Sequence, residues 1–71
     1  MSESEVLIEL GLRIKKLRSD KGMKQTHLAA ECDFEKATMS KIEAGKVNVS
    51  YLTLHRIAGA LKMPIRELVE D

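Results

Sequence analysis

An all-α fold is what this 71-residue chain predicts, on three observations. Apolar residues recur at spacings of three and four, with no β-rich alternating run. Residues of high helix propensity dominate. Punctuation is sparse, with four glycines and one proline, Pro64. The length admits one domain with a modest core. It is too short for an α/β barrel or a doubly wound sheet with a deep pocket.

The first helix is expected from about Ser4 to Lys21. Ser4 is the expected N-cap, Glu5 suits the positive end of the helix dipole, and Leu7, Leu10, Ile14 and Leu17 make one apolar stripe. Gly11 weakens this helix, which moves its expected start toward Leu12. Gly22 follows at the position where a left-handed residue closes a helix. A short second helix, about Gln25 to Cys32, turns Leu28 and Ala29 inward. Asp33, which tolerates the left-handed conformation, then leads through Phe34 to a third helix, about Glu35 to Ala44, with Met39 and Ile42 inward. Gly45 stops it. After the loop Lys46–Val49, Ser50 caps a fourth helix, about Tyr51 to Leu61, burying Leu54, Ile57, Ala58 and Leu61. Pro64 suits the first turn of a last helix reaching about Val69 and burying Ile65 and Leu68. The second and third helices, separated by a tight turn, have the geometry of a helix-turn-helix.

Composition narrows the function classes. No apolar run approaches the roughly 20 residues that span a bilayer, so no membrane role is expected. The acidic, polar start Met1-Ser2-Glu3-Ser4-Glu5 is unlike a signal peptide, and a cytoplasmic setting is expected. One cysteine, Cys32, makes neither an internal disulfide nor a zinc site and reads as a small core hydrophobe. His27 and His55 read as exposed helix residues, and the four methionines as core fillers. No catalytic constellation, phosphate loop or metal cluster is evident, so no cofactor, no metal and no enzymatic activity are expected. The net charge of +1 points, taken whole, to no partner.

Five fragments, in order, carry a resemblance. They are Ile14-Lys15-Lys16-Leu17-Arg18, Lys21-Gly22-Met23-Lys24-Gln25, Leu28-Ala29, Met39-Ser40-Lys41-Ile42-Glu43-Ala44-Gly45, and the ending Leu54 to Pro64. Together they resemble the Cro/phage-repressor (XRE-like) helix-turn-helix family over about residues 12 to 70. The resemblance implies a five-helix, lambda-repressor-like DNA-binding domain spanning residues 1–71, with residues 1–9 an acidic extension of the first helix and the helix-turn-helix at about 25–44. It implies that the third helix enters the major groove, as in phage repressors. Carried over by position, Lys36, Ala37, Ser40 and Lys41 read bases. Gln25, Thr26, Lys46, Asn48 and Ser50 contact the DNA backbone, and Arg18 and Glu43 form a structural salt bridge.

Side-chain chemistry is compatible with these roles. Lys36 and Lys41 stand five apart on a ten-residue helix, on the face not used by Met39 and Ile42. A lysine donates to guanine O6 and N7, and Ala37 or the Thr38 methyl suits a thymine methyl. Backbone N–H groups at the starts of the second and fourth helices suit phosphates. The charge also divides: residues 11–46 hold nine Lys or Arg against five acids, a surplus of four, whereas residues 1–10 hold three acids and no base. Three positions depart from the family pattern. Asp33 replaces a glycine, Lys24 replaces a capping Ser or Thr, and Glu35 replaces a small hydroxyl. Glu35 is either a solvated first-turn acid or a specificity element accepting from cytosine N4.

The expected partner is double-stranded DNA carrying a palindromic operator, bound by a homodimer. Leu52, Ile65 and Val69 form the candidate dimer interface, with a partly covered core edge as the alternative. The function implied is that of a sequence-specific transcriptional regulator, a repressor or autoregulator. Two alternatives share the fold: an antitoxin, which would add a protein partner, and the controller of a restriction–modification locus. A third is a protein-interaction module without DNA binding.

Overall fold

The computed structural model describes residues 1–69, and five helices follow one another among them. They are α1 (Glu3–Asp20), α2 (Gln25–Glu31), α3 (Lys36–Glu43), α4 (Tyr51–Ala60) and α5 (Arg66–Val69). The all-α expectation holds, and most helix ends lie within two residues of their expected places.

The start of α1 differs. Its N-cap is Ser2 and not Ser4, because Ser2 has a glutamate three residues on whereas Ser4 has Leu7. The Glu5 N–H donates to Ser2 Oγ at 3.2 Å, and the Ser2 N–H donates back to Glu5 Oε1 at 3.2 Å, a reciprocal capping box. Nor does Gly11 delay the helix, which runs through it. Gly11 is there for clearance: a Cβ on it would lie 2.7 Å from the Glu43 carbonyl carbon and 2.7 Å from the Ile42 oxygen. Gly45 makes the second close approach, where a Cβ would stand 2.7 Å from the Ile8 nitrogen. The C-terminal end of α3 is therefore pressed against the α1 backbone at two glycines.

Four helices end in the same way. In each, the residue after the C-cap turns left-handed and its N–H, with that of the next residue, closes back on the last turn. The left-handed residues are Gly22 and Gly45, both at φ 71°, Asp33 at φ 59° and Lys62 at φ 56°. Lys62 was not expected there. The chain must reverse after α4 wherever the core requires it, and Met63 donates back to Ala58 at 3.1 Å to complete that turn.

Every helix contributes to one core. Ile14, Leu28, Met39, Ile57, Leu61 and Leu68 are essentially sealed from solvent, with Ala29, Cys32, Ile42 and Ala58 beside them. Sealing one such aliphatic side chain is worth about 1.5–3 kcal/mol, more than a typical cap at about 1 kcal/mol, so packing decides the fold. Leu10, Leu17, Leu54 and Ile65 are half-buried at the margin of this core, and Met23 and Met63 fill it as expected. Met1 does not: it precedes α1 and is 79% exposed. Cys32 is a core residue, and burial, then the negative charge of Glu31, pushes its thiol above the ordinary value.

Candidate nucleic-acid interface

Helix α3 is held on three sides. Met39 and Ile42 enter the core, and Glu43 is buried beside them. Arg18 reaches across from α1 and grips Glu43 with two bonds, Nε to Oε2 at 2.8 Å and Nη2 to Oε1 at 3.0 Å. Its third donor, Nη1, bonds the Met23 carbonyl at 2.8 Å. Gln25 Nε2, at the start of α2, donates to Glu43 Oε1 at 3.0 Å. One carboxylate thus ties α1, α2 and α3 together, and among the described residues no buried side-chain polar atom lacks a partner. The salt bridge expected between Arg18 and Glu43 is present, with Arg18 9% and Glu43 6% exposed. Removing either partner from such a pair strands a charge, at about 3–5 kcal/mol.

The outer face of α3 follows from that anchoring. With Met39, Ile42 and Glu43 inward, Ala37, Ser40, Lys41 and Ala44 form the opposite stripe at spacings of three, four and seven, all exposed. Ala44, expected only as the last residue of the third helix, joins this stripe, and its seven-residue spacing from Ala37 marks it. Lys36 is exposed but does not share the stripe. Five residues at about 100° each place it about 140° from Lys41, on the flank of the first turn. The two lysines therefore bracket the stripe. Neither makes an ion pair among the described residues, so both ammonium groups are open to a partner.

The other expected contact residues lie around this helix in different states of engagement. Thr26 is exposed on α2. Gln25 is half-buried, with one of its two amide hydrogens given to Glu43. Lys46 and Asn48 are exposed in the loop after α3. Asn48 Oδ1 accepts from the Val49 N–H at 3.0 Å, and its NH2 has no partner among the described residues. Ser50 is committed to α4: its Oγ accepts from the Thr53 N–H at 3.1 Å and donates to Thr53 Oγ1 at 2.9 Å. Its single hydroxyl proton is spent there, so only its backbone can offer a donor. A groove of about 340 Å³ between α3 and the start of α4 brings Lys41 and Asn48 onto common walls with Thr38 and Thr53. Thr38 is the further polar residue of this face, next to the expected readers.

The N-termini of α2 and α3 are uncapped by side chains. Lys24 and Glu35 hold extended backbone at the N-cap positions, and neither side chain bonds the helix. Of the candidate dimer residues, Leu52 belongs to α4, Val69 to α5, and Ile65 immediately precedes α5. Leu52 is 64% and Val69 55% exposed, whereas Ile65 is half-buried against the core. Val69 opens onto an apolar groove of about 410 Å³ with Val6, Leu10 and Leu54 on its walls. His27 and His55 are both exposed, His27 facing Glu31 at 3.4 Å and His55 meeting the Tyr51 ring edge-on at 4.6 Å. No described helix is long and apolar enough to cross a membrane.

Comparison with known proteins agrees with this geometry. The family model described as the Cro/C1-type HTH DNA-binding domain matches residues 13–71. Control protein C.MunI of Mycoplasma sp is 36% identical over 69 residues, which cover 96% of this chain and 93% of that protein. The crystal structure of the restriction–modification controller protein C.AhdI from Aeromonas hydrophila superposes with a TM-score of 0.85 at 34% identity, over 87% of this chain and 94% of that one. The controller protein C.Esp1396I, solved as a tetramer with its natural 35-base-pair operator, superposes with a TM-score of 0.78 at 27% identity, over 92% of this chain and 96% of that one.

Proposed function

This chain belongs to the Cro/C1-type helix-turn-helix family of DNA-binding domains, and from that premise we propose that it is the control protein of a restriction–modification locus, a dimer acting on its own promoter region. It is a DNA-binding transcriptional regulator. The observation that carries the reading is the outer stripe of α3. Ala37, Ser40 and Lys41 stand exposed and unengaged on a helix whose inner face is fixed by the Arg18–Glu43 pair. A reading surface has to be both free and rigid, because looseness in the helix would blur the register of its contacts.

In this reading the chain is one helix-turn-helix domain and a binding protein, not an enzyme, working in the cytoplasm. Lys36, Ala37, Ser40 and Lys41 meet base edges. Gln25, Thr26, Lys46 and Asn48 meet phosphates, with Ser50 contributing through the backbone at the start of α4. Two copies meet through a face that includes Leu52, Ile65 and Val69, and bind two half-sites of a palindrome about one helical turn apart. The antitoxin alternative, with its protein partner, has no observation of its own in its favour.

The test is selection from random duplex DNA, followed by a search for the selected site upstream of the chain's own gene. A two-fold symmetric site found there supports the reading. A chain that selects no sequence has no regulatory site, and the proposal fails. The interface is tested separately by analytical ultracentrifugation of Leu52→Glu, for which a monomer is expected. An unchanged mass distribution removes Leu52 from it.

A further inference from the structure

Glu35 stands out at the entrance to the recognition helix. The N-cap position it occupies offers unsatisfied backbone N–H groups, and a short side chain there folds back to accept them. Glu35 does not: its backbone is extended at φ −69° and ψ 151°, and its side chain makes no capping bond. It is exposed, and among the described residues its carboxylate forms no hydrogen bond or ion pair, although Lys36 is its neighbour. Its carbonyl, by contrast, takes the first bonds of the helix, from Thr38 at 3.0 Å and Met39 at 3.2 Å, so the backbone that carries the carboxylate is fixed. In the docking geometry of this motif, the N-terminal residues of the recognition helix approach base edges.

A free carboxylate at that place is unfavourable against most of a duplex, because phosphates repel it and most major-groove atoms are acceptors. Guanine presents O6 and N7, and thymine presents O4. Adenine has an amino donor, but its N7 acceptor stands beside it and repels a carboxylate. Only cytosine offers an amino donor, N4, without an adjacent acceptor on the same base. Resting on the reading of this chain as a DNA-binding regulator, we propose that Glu35 is a specificity-determining residue. Its carboxylate accepts from cytosine N4 at one position of each half-site and weakens binding to duplexes that lack cytosine there.

The experiment compares the full-length protein with Glu35→Gln in selection from random duplex DNA. It also measures affinity for a non-selected duplex at two salt concentrations. The substitution keeps size and removes charge, and Glu35 is exposed, so circular dichroism should show the same fold. The natural chain is expected to select cytosine at one position per half-site, by roughly tenfold or more over other bases. Glu35→Gln is expected to lose that preference while keeping the remaining positions. It should also bind the non-selected duplex a few-fold more tightly, the gain shrinking at high salt. If both proteins select the same bases at every position, this inference fails while the regulator reading stands. A preference lost at adenine in place of cytosine overturns the cytosine assignment. If the natural chain selects nothing, the reading beneath it fails as well.

Discussion

The two helices of the helix-turn-helix and the two longer helices around them are started in opposite ways. Helices α1 and α4 are closed by serines: Ser2 in a reciprocal box with Glu5, and Ser50 on the Thr53 N–H. Helices α2 and α3 begin at Lys24 and Glu35 with no side-chain cap. A cap is worth about 1 kcal/mol, so the helix-turn-helix pair, proposed above to face DNA, forgoes local stability that the scaffold pair keeps. What holds α2 and α3 instead is their inner face, where Glu43 collects Arg18 and Gln25 and where Gly11 admits the α3 backbone. Local stability sits on the buried side of these two helices and not at their uncapped N-termini.

That contrast is broken most severely at Arg18. Arg18→Ala leaves Glu43 buried without its partner, and a loss of about 3–5 kcal/mol is expected. Lys16→Ala removes an ion pair of similar length, Lys16 to Asp20 at 3.1 Å, but its side chains are 76% and 59% exposed. An exposed pair of this kind contributes about 0.3–0.5 kcal/mol. Both arginine and lysine sit on α1, so thermal unfolding of the two variants compares a buried network with an exposed pair on one helix. Equal melting temperatures would show that α3 is held by packing alone.

Next in size is an effect on binding. Lys41→Ala should alter base preference at one or two positions of a half-site by about 1–3 kcal/mol if the contact is bidentate. Lys46→Ala, in the loop, should weaken all duplexes alike and flatten the salt dependence by about one unit of slope. Titrating both variants against a selected and a scrambled site measures the difference. The docking scheme is wrong if neither variant changes binding.

Much of this was legible beforehand, and the reasons it was legible mark where it was not. Periodicity gave the helices because burial of one stripe dominates their energy, and Leu28, Met39, Ile57 and Leu68 all point where their spacing puts them. The Arg18–Glu43 pair came from family likeness: 25 residues separate the partners, and no local rule joins them. Gly11 was misread as a weak point because its role depends on Glu43 and Ile42, distant in the chain. Lys62 at positive φ was invisible for a similar reason, since the core, not the residue's own preference, sets that turn. At the interface, family likeness named Lys36 and Lys41 together; helical spacing already separates them by about 140°, and the buried Met39, Ile42 and Glu43 show which stripe, Ala44 included, is left outward.

The caps themselves supply a smaller test. Ser50→Ala should lower stability by about 1 kcal/mol. Lys24→Ser should do the reverse, since it adds a capping oxygen to α2 and removes a cation from the positive end of its dipole. If Lys24 is kept for a phosphate, the stabilised variant should also bind its operator more weakly, with a shallower salt dependence. Unfolding curves and binding isotherms on the same two proteins decide it. A Lys24→Ser variant that is more stable and binds equally well would mean that the missing cap serves no contact.

The smallest expected effect is at the far end of α1. The Ser2 backbone N–H, then its hydroxyl, hold the Glu5 carboxyl below its ordinary value of 4.5. A group whose pKa is lowered in the folded state binds fewer protons there than in the unfolded chain. Its contribution is therefore fully present above the unfolded value and disappears as pH falls through the folded one. Glu5→Gln keeps an acceptor for the Ser2 N–H but abolishes the titration. The difference in stability between Glu5→Gln and the natural chain should be present at neutral pH and close below about pH 4.3, the usual range for an unfolded glutamate. A gap that stays constant across that range would assign the effect of Glu5 to its shape and not its charge. Because Glu5 is exposed, the gap should also shrink with added salt, which the buried Arg18–Glu43 pair should resist.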